Sequence, residues 1–361
     1  MASIRGGPGW RRARRRPRRA LLGFGVLTLV AVVMLVLARV LRGYGSDLMM
    51  NLGASLIMVA FGYVIFDPLF EEARKARVEE HVRFDHEGFC AQVAASRHSV
   101  SVLETWTGLL EDAYRRPFLH ALRAALRGGV AVRILLLDPD SAAAAQRTEE
   151  LRHVGVATLI RDNLRHLYRF RGELEPAQQR LLTVRVYDAS PSIQLYQWDD
   201  KALISFFPIG VRAYDAPQLE AYLASPWGDF VQGRFDELWQ HESTRALEEY
   251  MTLAVTVRKG RTDLVDRAAG YVVWDEVGYY LDGATMVNEL TDHGVSQLTV
   301  RTHRPLGAHG ASGDRFTLTR VDDHHTPSRD QLVALFASKY GAEPGEAAGA
   351  RRIILRLEPA P

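Results

Sequence analysis

Two uncharged apolar runs dominate the hydropathy pattern near the start of the chain: Ala20–Ala38, reading ALLGFGVLTLVAVVMLVLA, and Leu48–Phe66, closed by Asp67-Pro68. At 1.5 Å per helical residue, a run of this length nearly crosses a hydrocarbon core of about 30 Å. The pattern predicts a transmembrane helical hairpin, with spans over 20–41 and 48–67 joined by Arg42-Gly43-Tyr44-Gly45-Ser46-Asp47. The long first run and the missing small-x-small cleavage site argue against a removed signal peptide.

Beyond the hairpin the periodicity changes. Residues 71–98 are rich in helix formers and carry Val78, Val82, Phe89 and Val93 at near-helical spacing, which predicts an amphipathic connecting helix. From Ser99 strands alternate with helices. Ser99–Trp106 reads as a strand, followed by a helix that stops near Arg127-Gly128-Gly129. Val130–Leu137 (VAVRILLL) then reads as a central strand buried on both faces. A helical stretch over Ala142–Arg171 precedes strands at Leu182–Tyr187, Ile193–Trp198 and Ala202–Phe207, and helices are expected at Asp215–Ala224 and Asp229–His241. After about Glu249 the pattern is mostly strand, with helices near Ala284–His293 and Arg329–Lys339. Arg304–Asp314 and Gly341–Gly349 read as Gly- and Ala-rich loops.

Four of these pieces, in order, resemble the phospholipase D-like superfamily over about residues 80–245. Arg127-Gly128-Gly129-Val130-Ala131-Val132-Arg133-Ile134-Leu135-Leu136-Leu137-Asp138 is similar to its "rGv-VRiLllD" strand, Leu182–Asp188 to the strand before its active hairpin, Tyr196–Ser205 to the hairpin itself, and Phe235–Trp239 to its closing helix. The resemblance implies an α/β sandwich, and a central cleft built from two copies of the unit. This chain has one copy, so a homodimer is expected. The catalytic family forms a phosphohistidine from a His two residues before a Lys. The four lysines of this chain, Lys75, Lys201, Lys259 and Lys339, are preceded at that position by Ala73, Asp199, Val257 and Ala337. Lys201 takes the matching place in the hairpin, Asp199 replaces the nucleophile, and Phe206 stands where the acidic partner would follow. The resemblance is therefore to a non-catalytic bacterial branch. No catalytic residue is assigned, and Lys201, Asp199, Trp198, Trp106 and Glu104 are the candidate ligand-binding residues.

Charge adds an orientation. Arg5, Arg11, Arg12, Arg14, Arg15, Arg16, Arg18 and Arg19 sit in the first nineteen residues without an acid, which against a whole-chain charge of +2 leaves the remainder at about −6. Arg74, Lys75 and Arg77 follow the second run. Basic flanks stay on the cytoplasmic side, so both termini are expected inside a multi-pass protein of the cell membrane, with the arginine tail as a topology signal beside the bilayer.

Other chemistry is sparse. The single Cys90 excludes an internal disulfide and a multi-cysteine zinc site. His81 and His86 are five residues apart and do not share a helical face. Asp322-Asp323-His324-His325, with His303 or His309, is the one dense ligand-like cluster, and it reads more simply as a solvated strand end. No metal or cofactor is implied. The expected architecture is an N-terminal transmembrane helical hairpin after a basic tail (1–19), an α/β phospholipase D-like sandwich over 99–245 and a small α+β C-terminal domain over 250–361. The expected function is ligand or partner binding of the sensor or effector type. The alternatives are a divergent phosphodiesterase acting on lipid or nucleic acid, and a membrane-disrupting effector acting through its hairpin.

Overall fold

The computed structural model describes residues 29–39, 45, 48, 50–58, 78–190, 192–275, 278–303, 306, 315–322, 326–341 and 352–360. The chain divides into two compact units, Met1–Arg77 and Val78–Pro361.

In the first unit the described residues are helical over 29–39 and 50–58. At 1.5 Å per residue these stretches span about 17 and about 14 Å, roughly half of a hydrocarbon core. Among the described residues no helix is long and apolar enough to cross a membrane. That finding corrects the two-span hairpin, the multi-pass placement and the orientation built on them. The remainder of both apolar runs, the arginine tail from Arg11 to Arg19, and Arg74 to Arg77 lie outside the described residues.

The second unit begins with an eight-stranded mixed sheet in the order β1-β7-β6-β5-β2-β3-β4-β8. Its strands are β1 (Glu79–His81), β2 (Ser99–Glu104), β3 (Ala131–Leu137), β4 (Leu182–Tyr187), β5 (Gln194–Trp198), β6 (Lys201–Ser205), β7 (Gln218–Tyr222) and β8 (Arg245–Ala246). β2, β3 and β4 run parallel and the other pairings are antiparallel. The two edges are closed by strands of three and two residues, too short to recruit another chain by strand addition. The connecting helices are α1 (His86–Ala95), α2 (Asp112–Arg127), α3 (Ala142–Leu151), α4 (Val156–Gly172) and α5 (Pro226–Gln240).

Helices cover both faces. Phe89 of α1 lies 5.0 Å, ring to ring, from Tyr196 on one face. On the other, Arg133 of β3 lies 4.7 Å from the ring of Phe235 in α5, so the one charge interrupting the VAVRILLL run is held by a cation–π contact. α2 ends where the glycine pair implies, because Gly129 takes φ +79°, a conformation open to glycine and costly for other residues. The stretch Asp215–Ala224, expected as a helix, is instead β7, preceded by a single 3₁₀ turn at Ala213–Asp215. Within 71–98, the described part holds β1 and then α1, whose N-terminus is capped by the Asp85 carboxylate accepting the Gly88 N–H at 2.9 Å.

The C-terminal region, expected as a small α+β domain, closes into a six-stranded barrel in the order β10-β11-β14-β13-β12-β9. Its strands are β9 (Thr252–Lys259), β10 (Thr262–Trp274), β11 (Gly278–Asp282), β12 (Leu298–Thr302), β13 (Arg315–Arg320) and β14 (Ile354–Pro359). Leu253, Val255 and Val257 alternate into its interior with Val300, Leu318 and Leu355. A short helix, Leu247–Met251, leads from the sheet straight into β9. The helix α6 (Arg329–Tyr340) ties the two parts together: the ammonium of Lys339 lies 3.6 Å from the Tyr271 ring centroid, and Tyr340 donates its hydroxyl to the Met251 carbonyl at 2.7 Å.

Candidate functional site

The β5–β6 hairpin turns tightly on Asp199 and Asp200, with Trp198 paired to Lys201 across it. Asp199 adopts φ +47°, a left-handed conformation that short polar side chains tolerate. Its carboxylate accepts the backbone N–H groups of Arg97 at 3.0 Å and His98 at 2.8 Å, with Ser99 at 3.4 Å. Partial burial works against its charged form, yet these amides hold its carboxyl below the usual value. Asp199 thus clamps the hairpin to the start of β2.

Lys201 is also engaged. Its ammonium lies 2.5 Å from Glu220 Oε1 on β7, and this hydrogen bond raises its pKa. The second oxygen of Glu220 lies 3.2 Å from His81 Nε2 on β1. The three side chains form a chain along the sheet edge beside a cleft of about 160 Å³. Phe89, Trp198 and Leu203 supply the apolar part of its lining, and Trp198 is only 8% exposed. His81, Arg83, Asp85, Gln92 and Glu220 supply the polar part.

Glu104 and Trp106 lie elsewhere. Trp198 is paired with Val100 at the start of β2, whereas Glu104 ends that strand, four residues or about 13 Å farther along. Glu104 is 2% exposed. One of its oxygens accepts the Thr105 N–H at 2.9 Å and the other lies 3.4 Å from the Tyr196 hydroxyl, which in turn meets Thr107 Oγ1 at 2.8 Å. Burial pushes the Glu104 carboxyl up to about 8, against the opposing pull of the Thr105 amide, Gln194, Arg147 and Tyr196. Trp106 is buried and donates its indole N–H to Glu111 Oε1 at 3.3 Å, where the Tyr214 hydroxyl also arrives at 3.3 Å. The five residues expected to bind together therefore form two places: Trp198, Asp199 and Lys201 at the hairpin, and Glu104 and Trp106 at the opposite end of β2.

The described histidines meet other partners. His81 meets Glu220, and His86 stacks on Tyr114 with ring centroids 4.2 Å apart. His303 meets the Thr256 hydroxyl at 2.8 Å. Asp323, His324, His325 and His309 lie outside the described residues, and among the described residues no group of three or more His, Cys, Asp or Glu could hold a metal ion.

Glu220, Arg83 and Gln92 were not legible as site residues. Glu220 falls in a segment whose spacing reads as helix, and Arg83 and Gln92 look like ordinary exposed polarity until β1 and α1 bring them to the cleft.

No family model matches this chain, and no curated protein matches it. Among solved structures, it is similar to the archaeal chromatin protein TrmBL2, whose structure shows a novel mode of DNA binding, at 12% identity over 55% of this chain and 65% of that one, with a TM-score of 0.29. It is also similar to phosphatidylserine synthase from Haemophilus influenzae, at 16% identity over 47% of this chain and 39% of that one, again with a TM-score of 0.29. The chain spans less than two thirds of the length of either protein. Likeness this weak assigns no activity.

Proposed function

We propose that this chain is a binding protein without phosphoryl-transfer chemistry, in which a degenerate phospholipase D-like sheet domain takes a ligand or partner and the barrel serves as a second interaction module. The observation that carries this reading is the state of the hairpin. Lys201 is occupied by Glu220, and Asp199 by the amides of Arg97 and His98. A phosphate-handling lysine needs its ammonium turned to the substrate, whereas that of Lys201 is turned to Glu220. The Asp199 carboxylate is oriented by the backbone amides, and Asp199 and Asp200 add negative charge where a phosphodiester would have to approach.

The cleft beside the hairpin supports the binding half of the proposal, because it combines a small apolar floor with a few converging polar groups. Pairing of two copies through the sheet domain belongs to the same reading, and light scattering of the full chain at micromolar concentration checks it: a dimeric mass supports the pairing and a strictly monomeric mass removes it. The activity test is steady-state hydrolysis of bis(4-nitrophenyl) phosphate by the full chain. Release at the buffer rate is expected. Turnover that disappears in Lys201→Ala overturns the proposal.

A further inference from the structure

We infer that the cleft between α1 and the β1–β7 edge is a binding site for a small aromatic monocarboxylate, its ring against Phe89 and Trp198 and its carboxylate on Arg83. This names a ligand class for the binding role proposed above and rests on that role.

Size comes first. A cleft of about 160 Å³ is close in size to an apolar protein cavity of about 150 Å³ that takes up one benzene ring. Its apolar lining fits a ring too. The Phe89 and Trp198 rings sit 5.9 Å apart at 75° and form, with Leu203, the apolar wall of the cleft.

The sign of the ligand's charge follows from which polar groups are already satisfied. Glu220 is neutralised by Lys201 at 2.5 Å and met by His81 at 3.2 Å. Asp85 is committed to the N-terminus of α1 through the Gly88 N–H, where the helix dipole offsets its charge. The Arg83 guanidinium and the Gln92 carboxamide line the same cleft, and neither side chain has a hydrogen bond or ion pair among the described residues. The unengaged groups are thus one permanent cation and one amide donor. A guanidinium presents a planar fork that matches a carboxylate in two parallel hydrogen bonds. An amine on the same ring would meet Arg83 directly, with Glu220 already paired to Lys201 and one oxygen of Asp85 held by the Gly88 amide.

Isothermal titration of the full chain with benzoate tests the inference, with benzyl alcohol and benzylamine as a neutral and a cationic ligand of the same ring. Arg83 and Gln92 are exposed, so Arg83→Gln and Gln92→Phe can be compared with the parent at equal thermal stability. Saturable benzoate binding is expected, weakened about tenfold or more by Arg83→Gln, which removes a charge-assisted pair. Gln92→Phe, which fills the cleft from the exposed side of α1, should abolish it, and benzyl alcohol and benzylamine should bind at least tenfold more weakly. Absence of benzoate binding, equal affinity of the three ligands, or unchanged affinity in either variant overturns the inference. Its failure is distinct from failure of the binding role: Lys201-dependent phosphodiester turnover removes the role itself, whereas a benzoate-blind protein without turnover loses only the ligand class.

Discussion

Lys201 and Glu220 meet across the β6–β7 pair, Nζ to Oε1 at 2.5 Å, on the diagonal of a register in which Lys201 faces Tyr222 and Leu203 faces Glu220. The side chain of Lys201 is 33% exposed and that of Glu220 17%, so solvent screens the pair only in part. Lys201→Ala is expected to destabilise the fold by about 0.5–1 kcal/mol, the range of partly exposed ion pairs. Glu220→Gln should cost a similar amount, and the double variant should cost less than the two together. Urea denaturation of the four proteins measures this coupling. Additive single effects would show that the pair contributes nothing to the fold.

Asp199 gives a sharper structural test, because its backbone and its side chain can be separated. Asp199→Gly removes the carboxylate and keeps the left-handed turn, whereas Asp199→Ala removes the carboxylate and strains φ +47° as well. Both variants should be less stable than the parent, the alanine form by about 1 kcal/mol more than the glycine form. Since the carboxyl is held below its usual value, its contribution is present above the ordinary range and is lost as pH falls through the lowered one. The gap between the parent and Asp199→Gly should therefore narrow in acid, below about pH 4, when unfolding midpoints are followed from pH 6 to pH 3.

Glu104 runs the opposite way. Its carboxyl is raised from 4.5 to about 8 by burial, so the folded state holds a proton that the unfolded state has released between those values. Its contribution is complete below the unfolded value and declines as pH rises toward the folded one. Parent stability should fall between about pH 4.5 and pH 8, by at most about 1.4 kcal/mol per pH unit, the limit for one proton. Glu104→Gln keeps the shape without the titration, and its stability should be flatter over that interval. Parallel slopes for the two proteins would show that Glu104 does not titrate in this way.

Much of the sheet could be read from local pattern because its central elements are locally encoded. β3 is a continuous apolar run entered from a glycine stop, and the β5–β6 hairpin announces itself by Trp198, two aspartates and Lys201 in direct succession. β7 was not legible, since QLEAY alternates over five residues, a length at which strand and helix spacings overlap. Barrel closure was hidden for a different reason: β9 pairs with β12, bringing Val257 beside Val300, a contact that no short window of sequence contains. Glu220 and Arg83 became visible as site residues only once the sheet edge was assembled.

The most direct measurement of the hairpin's chemistry is the intact mass of the full chain, quenched after a single turnover with excess bis(4-nitrophenyl) phosphate. A phosphoryl-transfer enzyme of the family that this hairpin resembles passes through a covalent adduct, and such an adduct adds mass. With Lys201 held by Glu220 and Asp199 clamped to the amides of Arg97 and His98, the expected result is an unmodified mass, identical in the parent and in Lys201→Ala. A nitrophenyl-phosphoryl adduct present in the parent and missing from Lys201→Ala would contradict the non-catalytic reading.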